Sequence, residues 1–211
     1  MRYFFFIAVS FFSFSKQLKA TADSSIYNIQ FTVRGLKAPK AVLGYHFGDQ
    51  NFVVDSTNVD TLTGSMRFAT RQKLAEGVYF LAITEGAAKG ILFDFILAGD
   101  RNFLIETDVN APIDSANIDR SLENIEFFNY QKKARQVQTE INGIRSMLQM
   151  LQRATKDRAV LAEQEQKIAE KIKELDAFMA VQIQKYPDNY TTKLLKLLQK
   201  NCRSRIFTTV F

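Results

Sequence analysis

The strongest constraint on this chain is a change of period near Pro112. Up to Asp108 its apolar residues alternate with polar ones or fall in short β-prone runs between turn residues; beyond Pro112 they recur every three or four positions without a break. The first habit suits strands buried on one face, the second helices with one apolar stripe, and no segment satisfies both. The chain therefore reads as α+β with the two kinds of structure segregated. An N-terminal antiparallel β-sandwich is expected over residues 23–112, followed over 113–201 by a long antiparallel helical hairpin and a short third helix.

Within the first part, Ile29, Phe31 and Val33 alternate with Gln30 and Thr32 ahead of Gly35, and Leu43, Tyr45 and Phe47 alternate with Gly44 and His46. Residues 52–59, 66–68 and 103–105 supply further strands, while 78–84 and 91–97 are nearly continuous apolar runs, expected at the centre of sheets. About seven strands at roughly twelve-residue spacing suit a sandwich rather than a βαβ fold. Two stretches, Gly48-Asp49-Gln50-Asn51-Phe52 and Gly99-Asp100-Arg101-Asn102-Phe103, share the frame G-D-x-N-F and read as hairpin turns, since Gly and Asp tolerate positive φ. The alternative is a calcium loop using these residues with Asp55, Asn58 and Asp60, but their order matches no known loop.

In the second part, Phe127, Tyr130, Ala134, Val137, Ile141, Ile144, Leu148 and Leu151 form one coiled-coil seam, with Ser121, Glu123 and Asn124 as an imperfect capping box at its start. A second seam places Leu161, Ile168 and Leu175 at one heptad position and Ile172, Met179 and Tyr186 at the other. Glu165 and Gln182 interrupt it, and Asp157 caps its start. The short link between the seams makes an antiparallel pair, within one chain or between two. Gly143 lies inside the first helix, costs about 1 kcal/mol relative to Ala, and permits a close approach by another helix. Leu194, Leu195, Leu197 and Leu198 mark the third helix, over 190–200, and 202–211 reads as an apolar tail. Its last six residues are β-prone, either folding back as an edge strand or marking an early stop.

Residues 1–22 read as a secretory signal peptide. Arg2 precedes an apolar stretch over 3–14 that holds six of the chain's 19 Phe, shorter than the roughly 20 residues of a bilayer span, and Ala20-Thr21-Ala22 supplies an A-x-A exit. The expected location is the periplasm or another compartment of the cell envelope, with no stable transmembrane span after cleavage. Of the formal +6 charge, residues 23–112 carry −2 and 113–211 carry +5. The basic residues of the helical part alternate with acids, as in Lys167, Glu170, Lys171 and Glu174, which is the pattern of a solvated helix face. With export, that pattern argues against a nucleic-acid partner. One Cys and one His exclude a disulfide framework, a Cys/His zinc cage and a CxxC motif within this chain.

Few residues are candidates for chemistry. His46 falls on the opposite strand face from Tyr45 and Phe47 with no sequence-local partner, and reads as a surface or structural histidine rather than a base or ligand. Cys202 has Arg203 and Arg205 beside it, a setting that favours a thiolate or an inter-chain link, but lacks a resolving cysteine. Neither a G-x-S-x-G frame nor a glycine-rich phosphate loop is present. Tyr45, Tyr79, Phe80 and Phe93 read as core, a sugar-stacking platform being the alternative. No catalytic, cofactor-binding or metal-binding residue is expected, and no cofactor.

The run of residues 27–36 (YNIQFTVRGL), then 42–49 (VLGYHFGD) with Asp55, resembles an N-terminal domain of unknown function in Gram-negative periplasmic thioredoxin-like proteins. So do 77–81 (GVYFL), 102–108 (NFLIETD), 123–130 (ENIEFFNY) and 186–188 (YPD), so that the likeness spans roughly residues 26–198. The resemblance implies a β-sandwich and a helical region preceding a thiol–disulfide interchange domain. No such domain and no cysteine pair occur here, and disulfide exchange needs both an attacking and a resolving sulfur, so no catalytic residue carries over. The expected function is that of an exported, non-catalytic accessory or interaction module, contacting a protein partner or a second copy through its helical region. The alternatives are a fragment of a complete thioredoxin-like oxidoreductase and a carbohydrate-binding sandwich.

Overall fold

A computed structural model describes residues 27–70, 74–154 and 157–208, with the side chains of residue 70 and of 201–208 excepted. Residues 1–22, read above as a signal peptide, lie outside the described residues. Eight strands come first: β1 (Tyr27–Arg34), β2 (Lys40–Phe47), β3 (Gln50–Asn58), β4 (Ser65–Thr70), β5 (Gly77–Ile83), β6 (Gly90–Leu97), β7 (Asn102–Asp108) and β8 (Asn117–Asp119). Three helices follow, α1 (Leu122–Ala154), α2 (Arg158–Lys185) and α3 (Tyr190–Thr208). The segregated α+β architecture is thus the one its periodicity dictates.

The strands form two four-stranded sheets, ordered β4-β1-β7-β8 and β3-β2-β5-β6. Alternation places Tyr27, Ile29, Phe31 and Val33 of β1 on the inner face, opposite Leu43, Leu81, Phe93 and Phe95 of the other sheet. Phe31 sits at the centre, with the rings of Phe68, Phe93 and Phe95 5.9, 5.8 and 5.3 Å from its own, tilted or edge-on. Such pairs add about 0.5–1.5 kcal/mol each to area burial. Tyr27 is buried among them and its hydroxyl donates to Asp55 Oδ2 at 3.0 Å; burial, with this carboxylate beside it, raises its pKa.

Several local features differ from the sequence reading. One pairing, β1 with β7, is parallel, because the chain crosses between sheets rather than folding back on its neighbour. Only the first G-D-x-N-F frame makes a hairpin: Phe47 pairs with Gln50 around Gly48, whose φ is +58°. The second frame joins β6 of one sheet to β7 of the other. β5 is central, but β6 is an edge strand; its apolar run is continuous because the core covers one face and helices cover the other. β8, beyond Pro112, pairs with β7 over three residues too few to show a period. Residues 206–208 continue α3 instead of forming a strand, and the two long helices pair within one chain.

At Gly44 a side chain is excluded outright. A Cβ there would lie 2.2 Å from the ring of Phe80 and 2.6 Å from the carbonyl oxygen of Phe52. The missing side chain leaves room for Phe80 to lie flat on the outer face, where His46 covers it at 5.0 Å between rings.

Candidate functional site

The helical hairpin keeps apolar side chains such as Met150 exposed, as the sandwich does with Phe47 and Val53, and its root is held by specific hydrogen bonds. Ser121 caps α1, its Oγ accepting from the backbone N–H of Asn124 at 3.3 Å. The Asn124 side chain donates to the Ser121 Oγ at 2.9 Å and also reaches β6. It accepts from the Ile96 N–H at 2.7 Å and donates to the Ile96 carbonyl at 2.9 Å, as a neighbouring strand would. Two turns on, Gln131 donates to the Asp94 carbonyl at 3.2 Å. Helix α1 thereby closes the open edge of β6.

Glu123 performs the corresponding service for α3: its carboxylate accepts from the backbone N–H groups of Tyr190 and Thr191 at 2.8 and 2.9 Å. A carboxylate at a helix N-terminus also meets the positive end of the dipole. Phe127, Ile96 and Ala98 bury together beneath Val78, Tyr130, Tyr190 and Leu194, so the base of the hairpin has a small core of its own. Deeper in the seam, Gln182 donates to the buried Glu126, at 3.1 Å to Oε2, and Lys185 stands 3.5 Å from Oε1.

Farther out, four residues link the two helices. Glu174 takes Lys133 and, at 2.9 Å, Lys171, whose Nζ also lies 2.6 Å from Glu140. Hydrogen bonds from Lys133 and Lys171 hold the Glu174 carboxyl well below its ordinary range, at about 2. Those from Lys171 and Gln136 lower Glu140, and those from Glu140 and Glu174 raise Lys171. Lys171 and Glu174 are therefore inter-helix bridges and not only a solvated face, whereas Lys167 pairs with Glu163 along α2 in the expected manner.

Beyond this ladder the seam opens. Val137, Ile141 and Met179 are buried, but Ile144, Leu148, Leu151, Leu161 and Ile168 are only half-buried. Met147 and Met150 are 52% and 71% exposed, and among the described residues nothing beyond the adjacent helix backbone and chain neighbours comes within 4 Å of where a Gly143 Cβ would stand. Gly143 thus admits no close helix from its own chain. Toward the root a groove of about 550 Å³ runs between α1 and α2, lined by Phe178, by Val181, which is 65% exposed, and by Asp114 of the sandwich.

The other candidates fall into place as structure. His46 accepts or donates at both ring nitrogens, with Asn51 at 2.7 Å and Asp94 at 3.0 Å, so neither nitrogen is open to a substrate. Tyr79, Phe80 and Phe93 are buried, and Tyr45 is half-buried, stacked on Phe52 at 5.4 Å. Asp60 accepts from Leu62 N–H and Thr63 in its own turn, and Asp55 from Tyr27 and Ser56. Among the described residues, no three His, Cys, Asp or Glu side chains gather to hold a metal. The Cys202 side chain lies outside the described residues. The sequence reading placed Glu123 and Asn124 in a capping box and Gln182 as a break in the seam; what it missed is their partners, Ile96, the start of α3 and Glu126, which lie 28 to 68 residues away in the chain.

Among the described residues, no helix is long and apolar enough to cross a membrane. No protein-family model, curated protein or solved structure matches the chain.

Proposed function

We propose that this chain is an exported, non-catalytic interaction module in which a β-sandwich holds a helical hairpin out to a protein partner. The observation that carries the reading is the uncovered outer half of the hairpin. Met147 and Met150 project beside a half-buried seam on helices that an ionic ladder and a hydrogen-bonded root hold in place. Methionine surfaces adapt to a facing helix, and helix-in-groove recognition uses apolar anchors at spacings of three and four. Export is supported by residues 1–22, and the kinship with the front end of thiol–disulfide interchange proteins by the order of the motifs over 26–198.

The test is a photo-crosslinking residue placed at Met150 in producing cells, with a control at Gln30 on the polar outer face of β1. A discrete product from Met150 and none from Gln30, in the envelope fraction and with a mature N-terminus near Ala22, is expected. Equal labelling from both positions, or none from Met150, overturns the reading. Disulfide-substrate turnover that is lost in Cys202→Ser overturns its non-catalytic part.

A further inference from the structure

We infer that Met147 and Met150 are a peroxide-sensitive pair: oxidation of their thioethers to sulfoxides makes the outer stretch of α1 polar and switches off docking there. The inference rests on the interaction reading above and assigns that surface its regulation. Four methionines lie among the described residues, and they fall into two classes. Met66, in the core of the sandwich, and Met179, on the buried side of α2, are 5% and 1% exposed, against 52% and 71% for Met147 and Met150. An oxidant must touch the sulfur itself, so this difference in access decides which methionines react.

Two local features keep these sulfurs open. Long side chains on a helix lean back over the preceding turn, and for Met147 that turn holds Gly143, which has no side chain to cover a thioether. Over residues 142–172, the outer half of the hairpin, there is no aromatic residue, so that stretch offers no ring to pack on either sulfur.

The oxidant is a peroxide. A sulfur lone pair attacks one peroxide oxygen, an S–O bond forms and the O–O bond breaks; the sulfur loses two electrons, and with hydrogen peroxide the second oxygen leaves as water with both protons. The product is a neutral sulfoxide whose oxygen is a strong hydrogen-bond acceptor, and thiol-driven reductases return it to the thioether. Residues three and four apart share one side of a helix. Met147 is three from Ile144 and from Met150 and four from Leu151, so two oxidations fall on one strip beside the half-buried seam. A partner laid on that strip would bury two acceptors without donors, which opposes docking. The fold is spared, because both side chains already stand in water.

The test treats the purified chain with hydrogen peroxide and follows the added oxygen at each methionine by peptide mass spectrometry. Met147 and Met150 are expected to oxidise roughly tenfold faster than Met66 and Met179, or more, with unchanged circular dichroism. Equal rates at all four sulfurs, or helix loss in step with oxidation of Met147 and Met150, overturn the inference. In producing cells a photo-crosslinking residue is placed at Ser146, one turn before Met150, so that both sulfurs stay. Its product is expected to fall roughly tenfold after peroxide and to persist in Met147→Leu/Met150→Leu, which keeps the volume and cannot be oxidised there. A product that survives peroxide although both methionines are oxidised, or that is lost equally in the leucine variant, overturns the switch and leaves the interaction reading intact. No product before peroxide overturns the interaction reading and the switch together.

Discussion

The two halves of this molecule close their apolar surface in different ways. The centre of the sandwich is closed by its own residues: Phe31, Phe68, Phe95 and Phe103 are almost fully buried, and α1 seals the β6 edge, while Phe47 and Val53 stay exposed along β2 and β3. The hairpin closes only in part: along its seam Phe127, Val137 and Ile141 are buried with Tyr130 and Ala134 half-buried between them, whereas from Ile144 to Leu151 no seam residue is buried, although the spacing is the same throughout. Two helices have one contact face each, whereas a stripe wide enough for a globular helix needs more than one neighbour. α3 supplies that neighbour only on one side, through contacts such as Leu194 at the root and Gln199 to the Asp176 carbonyl. Regular periodicity thus specifies a helix with an apolar face, and leaves undetermined how much of that face its own chain covers.

Paired truncations separate the halves most sharply. Phe31→Ala should cost about 3–5 kcal/mol, the range for a buried aromatic, and bring the whole sandwich to an earlier urea midpoint. Leu148→Ala, on the half-open seam, should cost about 1 kcal/mol or less in a monomer. Equal shifts in chemical denaturation would abolish the distinction. The same contrast can be drawn within one helix: Ile141→Asp buries a charge and should cost about 3 kcal/mol, while at Ile144 the carboxylate can reach water and helix content should hold. Circular dichroism during a urea titration reads both.

The root is the next test. Asn124→Ala leaves the N–H and the carbonyl of Ile96 without their partners in a buried setting, a loss of about 2–3 kcal/mol. Amide exchange at Ile96 should rise together with exchange across the first turns of α1, while the opposite sheet keeps its protection. Uniform deprotection of both sheets would show that α1 is integral to the sandwich rather than a closure laid upon its edge.

The architecture was legible because period is a property of many residues at once. The strands of β1 and β2, the seams of α1 and α2 and the Asp157 cap, which accepts from Ala159 N–H at 2.9 Å, follow from alternation, three-four spacing and a residue type. What escaped depends on single long-range contacts. The sequence of β6 cannot show that its neighbour on one side is a helix offering Asn124 and Gln131, and three residues of β8 carry no pattern. The ladder was hidden for a related reason: Lys171 and Glu174 are three apart and look like an intra-helix pair, which they also are, while Lys133 and Glu140 reach them only after the hairpin closes.

The smallest expected effect concerns His46, which ties the sandwich together across its outer face. Its ring bonds Asn51 on the β3 edge and Asp94 on the β6 edge, and covers Phe80 between them. Burial disfavours the charged imidazole, but the bonds to Asp94 and Asn51 outweigh it, so its pKa lies above the ordinary value of 6.5. A group whose folded pKa is raised gives its full contribution below the unfolded value and loses it as pH rises through the folded value. The melting temperature, relative to that of His46→Gln, should therefore be highest below pH 6.5 and fall as pH climbs above it. Asp94 is the charged partner that makes the difference, and Asp94→Asn should flatten the slope while leaving the Gln131 bond, which uses the Asp94 carbonyl, in place. Because His46 is partly exposed, water screens the pair and the shift should be a degree or two; a slope of opposite sign would mean that the imidazole is held neutral, with burial stronger than its carboxylate.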